Sequence, residues 1–322
     1  MARELTIGKL RGLRACSDAR GTMAMLALDH RNNLRKALRP DKPDTVPDSA
    51  LTAFKREAVS ALAGAATAVL LDPELGAAQC VASGAMPGDR GLVVALERTG
   101  YGGEAHARES RILEGWGVAK VKRMGASAAK LLVYYHPEAS TAERIERLVG
   151  AVAEECERED LLLLLEPLVY NPDPGGGPLS PEARRKAIVE AARRLGGAGV
   201  DVLKAEFPGS ASGSENGEWK AACEELSAAC AIPWILLSAA VDFDTFRRQT
   251  EAACRAGASG VAVGRAVWNE AARLAGAERT AFLHGEARRR MAETTALCAE
   301  RARPWSAIDA APEIDARWYE SY

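Results

Sequence analysis

The chain has 322 residues, of which 48% are hydrophobic, 27% are charged and 5% are aromatic. Its 42 basic and 44 acidic side chains give a formal net charge of −2, which excludes the strongly basic surface of a typical nucleic-acid-binding protein and leaves no acidic tail. This length suits either two domains or one large α/β barrel.

Neither the cysteines nor the apolar segments indicate a secreted or membrane protein. The seven cysteines are scattered without a CxxC pair, which predicts reduced thiols rather than disulfides or a zinc site. Residues 1–21 lack an apolar stretch of signal-peptide length, and the apolar run at 61–72 is too short to cross a membrane. We therefore expect a cytoplasmic protein with no nucleic-acid or membrane partner.

Short apolar runs typical of strands alternate with helical segments along the chain. The predicted strands are 22–29, 67–72, 91–97, 128–135, 161–167, 201–207, 233–239 and 259–264. The main predicted helices between them are 50–64, 142–158, 181–195, 219–230 and 243–257.

Eight strands that alternate with helices predict a parallel (β/α)8 TIM barrel. We expect a single domain over 1–322, with a core at about 20–275 and a helical extension at about 278–322 of no evident role. A doubly wound sheet is the rival fold, but no predicted strand is followed by the GxGxxG turn of its dinucleotide-binding members.

Polar side chains occur at nearly every predicted strand end, where barrel enzymes place reactive groups. They are Asp29, Arg31, Asp72, Glu97, Arg98, Glu166, Lys204, Glu206, Ser238 and Arg265, while Lys130 opens the fourth strand. This pattern predicts a functional site at the carboxyl ends of the strands. The loop at 170–183 would lie at the same mouth, or it is a disordered surface loop.

The sixth strand places a lysine inside the barrel. Strict alternation turns Leu203 and Ala205 outward and leaves Lys204 and Glu206 facing inward. A structural Lys–Glu pair is one interpretation. The other is a reactive amine that forms an iminium with a ketone, because burial and a second cation at Lys130 both favour the neutral amine. Lys130 itself is ambiguous, since a lysine near a strand start can extend to solvent.

Two carboxylates suit the same chemistry. Glu166 follows five leucines, so burial is expected to raise its pKa into the range useful for proton transfer, unless a salt bridge satisfies it. Asp29 either orients substrate hydroxyls and moves a proton, or caps the next helix.

The last two strand ends suit a phosphate. The segments 236–242 and 261–268 combine small residues with helix starts, which expose backbone N–H groups, and Arg265 adds a guanidinium. The alternative is a pair of tight turns with a surface arginine.

These segments together resemble one enzyme family. The segments "LALDHRNNLRKAL", "VLLDPELG", "ALERTGY", "GASAAKLLVYY", "LLLEPLVY", "DVLKAEFP", "LLSAAV" and "GRAVW" are similar, in order, to the class I tagatose 1,6-bisphosphate aldolases, which include related sulfofructose-phosphate aldolases.

The resemblance implies a role for each candidate residue and no metal or other cofactor. It implies Lys204 as the Schiff-base lysine, Glu166 as the proton-transfer group, and Lys130 and Asp29 as supporting groups. The substrate-binding residues it implies are Ser238, Ala239, Ala240, Gly264 and Arg265 at the dihydroxyacetone phosphate end and Arg31 at the far anion.

Two positions depart from that family. His30 replaces a usual glutamine, and Ala240 replaces a usual glycine, where a Cβ is penalised if the backbone approaches the phosphate closely. We expect a homo-oligomeric aldolase for tagatose 1,6-bisphosphate. The alternatives are 6-deoxy-6-sulfofructose 1-phosphate as the substrate, or a regulator that binds phosphosugars without turning them over.

Overall fold

The computed structural model describes residues 3–197, 199–210, 215–239, 241–320 and 322. Eight parallel strands close into a barrel in chain order, and the last strand pairs with the first. The barrel strands are β1 (Met23–Ala27), β2 (Ala68–Leu71), β3 (Gly91–Ala95), β4 (Ala128–Tyr135), β5 (Leu162–Val169), β6 (Val202–Ala205), β7 (Trp234–Leu237) and β8 (Gly260–Val263). The predicted single-domain TIM barrel is confirmed.

Helices surround this barrel, and the five main predicted ones are present. The α-helices are α1 (Ile7–Cys16), α2 (Asn32–Leu38), α3 (Asp48–Leu62), α4 (Ala77–Ala82), α5 (Val118–Arg123), α6 (Ala142–Arg158), α7 (Pro181–Leu195), α8 (Lys220–Ala229), α9 (Phe243–Arg255), α10 (Arg265–Trp268), α11 (Gly276–Phe282) and α12 (Arg288–Arg301). Across the described ranges, no helix is long and apolar enough to cross a bilayer.

The strands separate two apolar cores. Alternate side chains of each strand point to opposite faces, so Val202 lies in the core inside the barrel while Leu203 and Ala205 pack against the outer helices. Because the strands are buried on both faces, nearly every residue in their sequences is apolar.

The amino-terminal end of the barrel is closed by segments to which the sequence assigned no role. Leu10 and Leu13 of α1 join the inner core together with Trp305 from the carboxyl-terminal extension. A short parallel pair, Arg3–Glu4 with Asp309–Ala310, ties the two termini together beneath the barrel. The opposite end, at the carboxyl ends of the strands, carries the candidate site.

Gly260 permits the closure of the barrel between β8 and β1. Its φ is 142°, and a Cβ there would lie 1.8 Å from the carbonyl oxygen of Met23. We expect Gly260→Ala to lower the free energy of unfolding by about 3 kcal/mol, because neither backbone can move without breaking the ladder. Urea unfolding measures this. Gly64→Ala is the matched control, since a Cβ at Gly64 meets no atom within 4 Å; equal midpoints for the two variants would contradict the prediction.

Candidate active site

The carboxyl ends of the strands surround a cavity of about 610 Å³. Most of the predicted site residues line it: Asp29, Arg31, Lys130, Glu166, Lys204, Ser238, Ala239, Gly264 and Arg265. Ala240, the remaining predicted residue, lies outside the described residues. The predicted location of the site therefore agrees with the structure, and the geometry shows what each side chain can do there.

Lys204 lies in this cavity, as the alternation in β6 predicts. Its side chain is 5% exposed, and Nζ donates a hydrogen bond to Oε2 of Glu166 at 2.8 Å. The Lys–Glu pair considered from sequence alone is therefore formed, but both partners border the cavity rather than a sealed core. A small molecule in the cavity can reach the amine.

Lys130 is the centre of a buried charge cluster. Its side chain is fully buried, and Nζ lies 2.8 Å from Oδ2 of Asp29, 2.7 Å from Oε1 of Glu97 and 2.9 Å from Oε2 of Glu166. Burial alone would lower the pKa of Lys130, but the three carboxylates outweigh burial and hold this pKa well above its usual range. Lys130 is a fixed ammonium and does not extend to solvent.

The electrostatics of Glu166 reverse one prediction. Burial does raise the pKa of Glu166, but the ammonium groups of Lys130 and Lys204 outweigh burial, and the net shift is downward. The predicted upward direction is wrong because both ammonium groups lie against one carboxylate oxygen, Oε2. Glu166 is therefore held as a carboxylate, the form that a proton acceptor must have.

Asp29 also pairs with Lys130 instead of capping a helix. Burial opposes ionisation of Asp29, yet the charges of Lys130 and Lys204 hold its pKa well below its usual range. The residue before α2 is Arg31, and no side chain caps that helix start. The capping alternative therefore has no support in the structure.

Glu97 is a site residue that the sequence placed at a strand end without a role. Burial and the charge of Asp29 raise its pKa, although Lys130 and Arg31 act in the opposite direction. Its Oε2 accepts a hydrogen bond from the backbone N–H of Leu132 at 3.0 Å. The sequence signal was its position after an apolar strand, the same signal that identified Glu166.

Arg31 lines the cavity, but its terminal nitrogens already have protein partners. Nη1 donates to Glu74 at 2.6 Å, and Nη2 donates to the backbone carbonyl of Glu97 at 2.8 Å. This arrangement suits holding Glu97 in place better than binding a substrate anion. Lys36 and Arg98 are exposed cations that line the same cavity.

The ends of β7 and β8 form a small polar corner. Ser238 Oγ accepts a hydrogen bond from the backbone N–H of Gly264 at 3.2 Å. A Cβ at Gly264 would come within 2.9 Å of the Ala27 carbonyl oxygen, so glycine allows the close packing here. Arg265 follows at the start of α10, and Ala239 has a φ of 28°.

A hairpin follows β3 in the chain, and the sequence did not reveal it. Gly102–Glu104 pairs with Ala107–Glu109, and Arg108 lies over three tyrosine rings at 4.6 to 5.4 Å from their centroids: Tyr101, Tyr134 and Tyr170. Tyr101 and Tyr134 line the cavity, whereas residues 170–183 do not. The contacts of Arg108 with Tyr101 and Tyr134 connect the hairpin to the wall of the cavity.

The chain is similar to several known proteins. A family model described as DeoC/LacD family aldolase matches residues 23–270. Tagatose 1,6-diphosphate aldolases of Staphylococcus aureus, from strains JH9 and Newman, are 31% identical over 285 residues, which cover 83% of this chain and 86% of theirs.

Solved structures share the barrel fold at lower identity. An archaeal fructose 1,6-bisphosphate aldolase is 20% identical with a TM-score of 0.59, and the match covers 90% of this chain and 99% of that one. Fructose-bisphosphate aldolase from Plasmodium falciparum is 14% identical with a TM-score of 0.69, over 94% and 98% of the two chains.

Proposed function

The chain belongs to the DeoC/LacD family of aldolases, and from this premise we propose that it is a class I aldolase that forms a Schiff base through Lys204. The proposed substrate is a ketose 1,6-bisphosphate such as tagatose 1,6-bisphosphate, and the products are dihydroxyacetone phosphate and glyceraldehyde 3-phosphate. One observation supports this above all: Lys204 Nζ lies in the strand-end cavity, 2.8 Å from a buried carboxylate.

The Lys204–Glu166 pair supports the first step. Glu166 is at hydrogen-bond distance to accept a proton from the Lys204 ammonium, which frees the amine. The amine lone pair then attacks the C2 carbonyl, and the resulting carbinolamine takes up a proton and loses water as the iminium forms. The iminium is the electron sink for bond cleavage.

Bond cleavage needs a base close to the C4 hydroxyl, and Glu166 is the proposed base. It removes the hydroxyl proton, the C3–C4 electron pair moves to the iminium nitrogen, and the aldehyde leaves. The enamine then takes a proton at C3, and water hydrolyses the iminium to release the ketone. Lys130 stays charged throughout and favours the ionised forms of Glu166 and Asp29 between the proton transfers, while Asp29 orients the sugar hydroxyls.

The two ends of the cavity differ in their anion-binding groups. Ser238, Ala239, the Gly264 backbone and Arg265 suit the dihydroxyacetone phosphate end, for which the sequence also pointed to Ala240, outside the described residues. For the far anion the sequence pointed to Arg31, and the structure adds Lys36 and Arg98 beside it. Because exposed cations accept phosphate and sulfonate alike, 6-deoxy-6-sulfofructose 1-phosphate is the second candidate substrate.

A regulator that only binds phosphosugars does not need this arrangement. Binding a phosphosugar needs only the anion-binding groups, whereas an amine that borders the cavity beside a carboxylate suits a nucleophile and its base. We also expect the enzyme to be a cytoplasmic homo-oligomer, which size-exclusion chromatography with light scattering measures in solution.

A side-by-side turnover assay tests the proposed function. We expect dihydroxyacetone phosphate to form from tagatose 1,6-bisphosphate, with fructose 1,6-bisphosphate and sulfofructose phosphate as comparison substrates. Activity should persist in EDTA, because the lysine iminium replaces a metal as the electron sink. Cleavage of none of the three sugars, or complete loss of activity in EDTA, would overturn the proposal.

The roles of Arg98 and Arg31 can be separated by kinetics. We expect Arg98→Ala to raise the KM for the bisphosphate about tenfold with kcat nearly unchanged, because one charge-assisted contact to the far phosphate is lost. With fructose 1-phosphate, which lacks that phosphate, the effect should vanish.

Arg31→Ala is expected to behave differently. It should lower kcat on the bisphosphate and on fructose 1-phosphate by the same factor, because Glu97 loses its support. A loss confined to the bisphosphate in Arg31→Ala would instead assign the far anion to Arg31.

A further inference from the structure

His30 is held rigidly in the wall of the cavity. Its ring packs edge-on against Trp268, with centroids 5.3 Å apart and planes at 77°. On its other side the ring approaches Gly264 so closely that a Cβ there would lie 2.9 Å from Cε1 of His30. Trp268 is itself fixed, because its Nε1 donates to the Ala27 carbonyl at 3.1 Å.

One nitrogen of this ring lacks a partner. Nδ1 of His30 is buried and makes no hydrogen bond within the described residues. The nearest recorded carboxylate oxygen, Oδ1 of Asp29, is 3.9 Å away, which is beyond hydrogen-bond distance. A buried polar atom without a partner costs roughly 1–3 kcal/mol, so a ligand that supplies one gains that energy.

His30 is uncharged at neutral pH. Burial lowers its pKa to about 4, with Arg265 and Lys204 acting in the same direction and Asp29 and Glu166 opposing them. A neutral imidazole has one donor and one acceptor, which matches a hydroxyl or a carbonyl oxygen. It adds no positive charge to the anion-binding groups nearby.

The position of the ring identifies which part of the substrate it meets. The ring of His30 lies against Gly264, and the positive charges of Lys204 and Arg265 lower its pKa. Those three residues belong to the end of the cavity assigned to dihydroxyacetone phosphate.

We infer that His30, as a neutral imidazole, hydrogen-bonds an uncharged oxygen in the triose phosphate half of the substrate, the half that stays attached to Lys204 after C3–C4 cleavage. This inference rests on the proposed function. It makes His30 a substrate-binding residue that selects for hydroxyl or carbonyl groups next to the reacting carbon.

The half-reaction with dihydroxyacetone phosphate alone tests the inference, with borohydride reduction to trap the iminium at each concentration. We expect His30→Leu to raise the half-saturating concentration about tenfold, since the contact disappears. His30→Gln keeps one donor and one acceptor and should stay within about threefold of the wild type. The KM values for tagatose bisphosphate and sulfofructose phosphate should rise by the same factor in His30→Leu, because both sugars share this half.

Thermal unfolding separates binding from folding. His30→Leu removes an unpartnered polar atom and should be at least as stable as the wild type, so a tenfold loss of binding cannot come from unfolding. His30→Ala provides the same measurement if leucine disturbs the contact with Trp268. The inference would be overturned, and the aldolase proposal left intact, by either of two results. One is that His30→Leu and His30→Ala are trapped at the same half-saturating concentration of dihydroxyacetone phosphate as the wild type. The other is that only the KM values for the full-length sugars rise. Failure of the wild type to form any adduct would overturn both.

Discussion

Lys204→Met is expected to lower kcat for ketose bisphosphate cleavage by at least about 10⁴-fold, because the substitution removes the amine that is proposed to form the iminium. The fold should survive this change. Glu166 keeps its contact with Lys130 at 2.9 Å, so the substitution leaves no carboxylate buried without a partner. Steady-state kinetics and thermal unfolding of the same preparation measure both quantities.

Lys204→Arg is the matched control for charge. It keeps a cation beside Glu166 but provides no nucleophilic amine, since the guanidinium stays protonated. We expect it to be as inactive as Lys204→Met. Turnover by either variant within about tenfold of the wild type would assign the chemistry to another group.

Lys130→Met is expected to have the largest effect on stability. It removes the shared partner of Asp29, Glu97 and Glu166, and loss of one member of a buried ionic cluster typically lowers the free energy of unfolding by about 3–5 kcal/mol. Activity should fall as well, because Glu166 and Asp29 are then less readily ionised. Urea unfolding at pH 7 gives the stability.

The pH dependence of the stability lost in Lys130→Met follows from the direction in which each pKa of the cluster is shifted. The pKa values of Asp29 and Glu166 are lowered, so their contribution to stability is present above their usual pKa and is lost as the pH falls through the folded-state values. The pKa of Lys130 is raised above its usual 10.5, so its contribution is present below that pH and is lost only in stronger alkali. The difference between wild type and Lys130→Met should therefore be greatest at pH 6–9 and shrink below about pH 4.

Lys36→Met controls for loss of an exposed cation at the same cavity. It should change the free energy of unfolding by no more than about 0.5 kcal/mol. If Lys130→Met were as stable as Lys36→Met at pH 7, this result would contradict the claim that the buried ionic cluster stabilises the fold.

The barrel was predictable because each strand is both apolar and short. Because these strands are buried on both faces, their apolar runs differ clearly in composition from the Ala/Glu/Arg-rich helices. In the structure β4, for example, spans the predicted residues 128–135. The closure beneath the barrel was not predictable. Trp305 and α1 are distant in the chain, and no local pattern shows that they share one core.

The location of the candidate site at the strand ends could be predicted from the sequence, but the electrostatics of the site could not. Strand ends in a barrel converge, so the sequence predicted that Lys204 and Glu166 lie close together, and their side chains are 2.8 Å apart in the structure. The direction of the Glu166 pKa shift depends on two ammonium groups from other strands, and a sequence does not give their distances. For the same reason the contact of Glu97 with Lys130 and the partners of Arg31 became evident only in the structure.

Borohydride trapping with peptide mapping tests the Schiff-base proposal most directly. The enzyme is incubated with dihydroxyacetone phosphate, reduced, digested and analysed by mass spectrometry, with Lys204→Met treated in parallel. We predict one reduced adduct, located on Lys204 and missing from the variant. An adduct on Lys130, or none on the wild type under turnover conditions, would contradict the account.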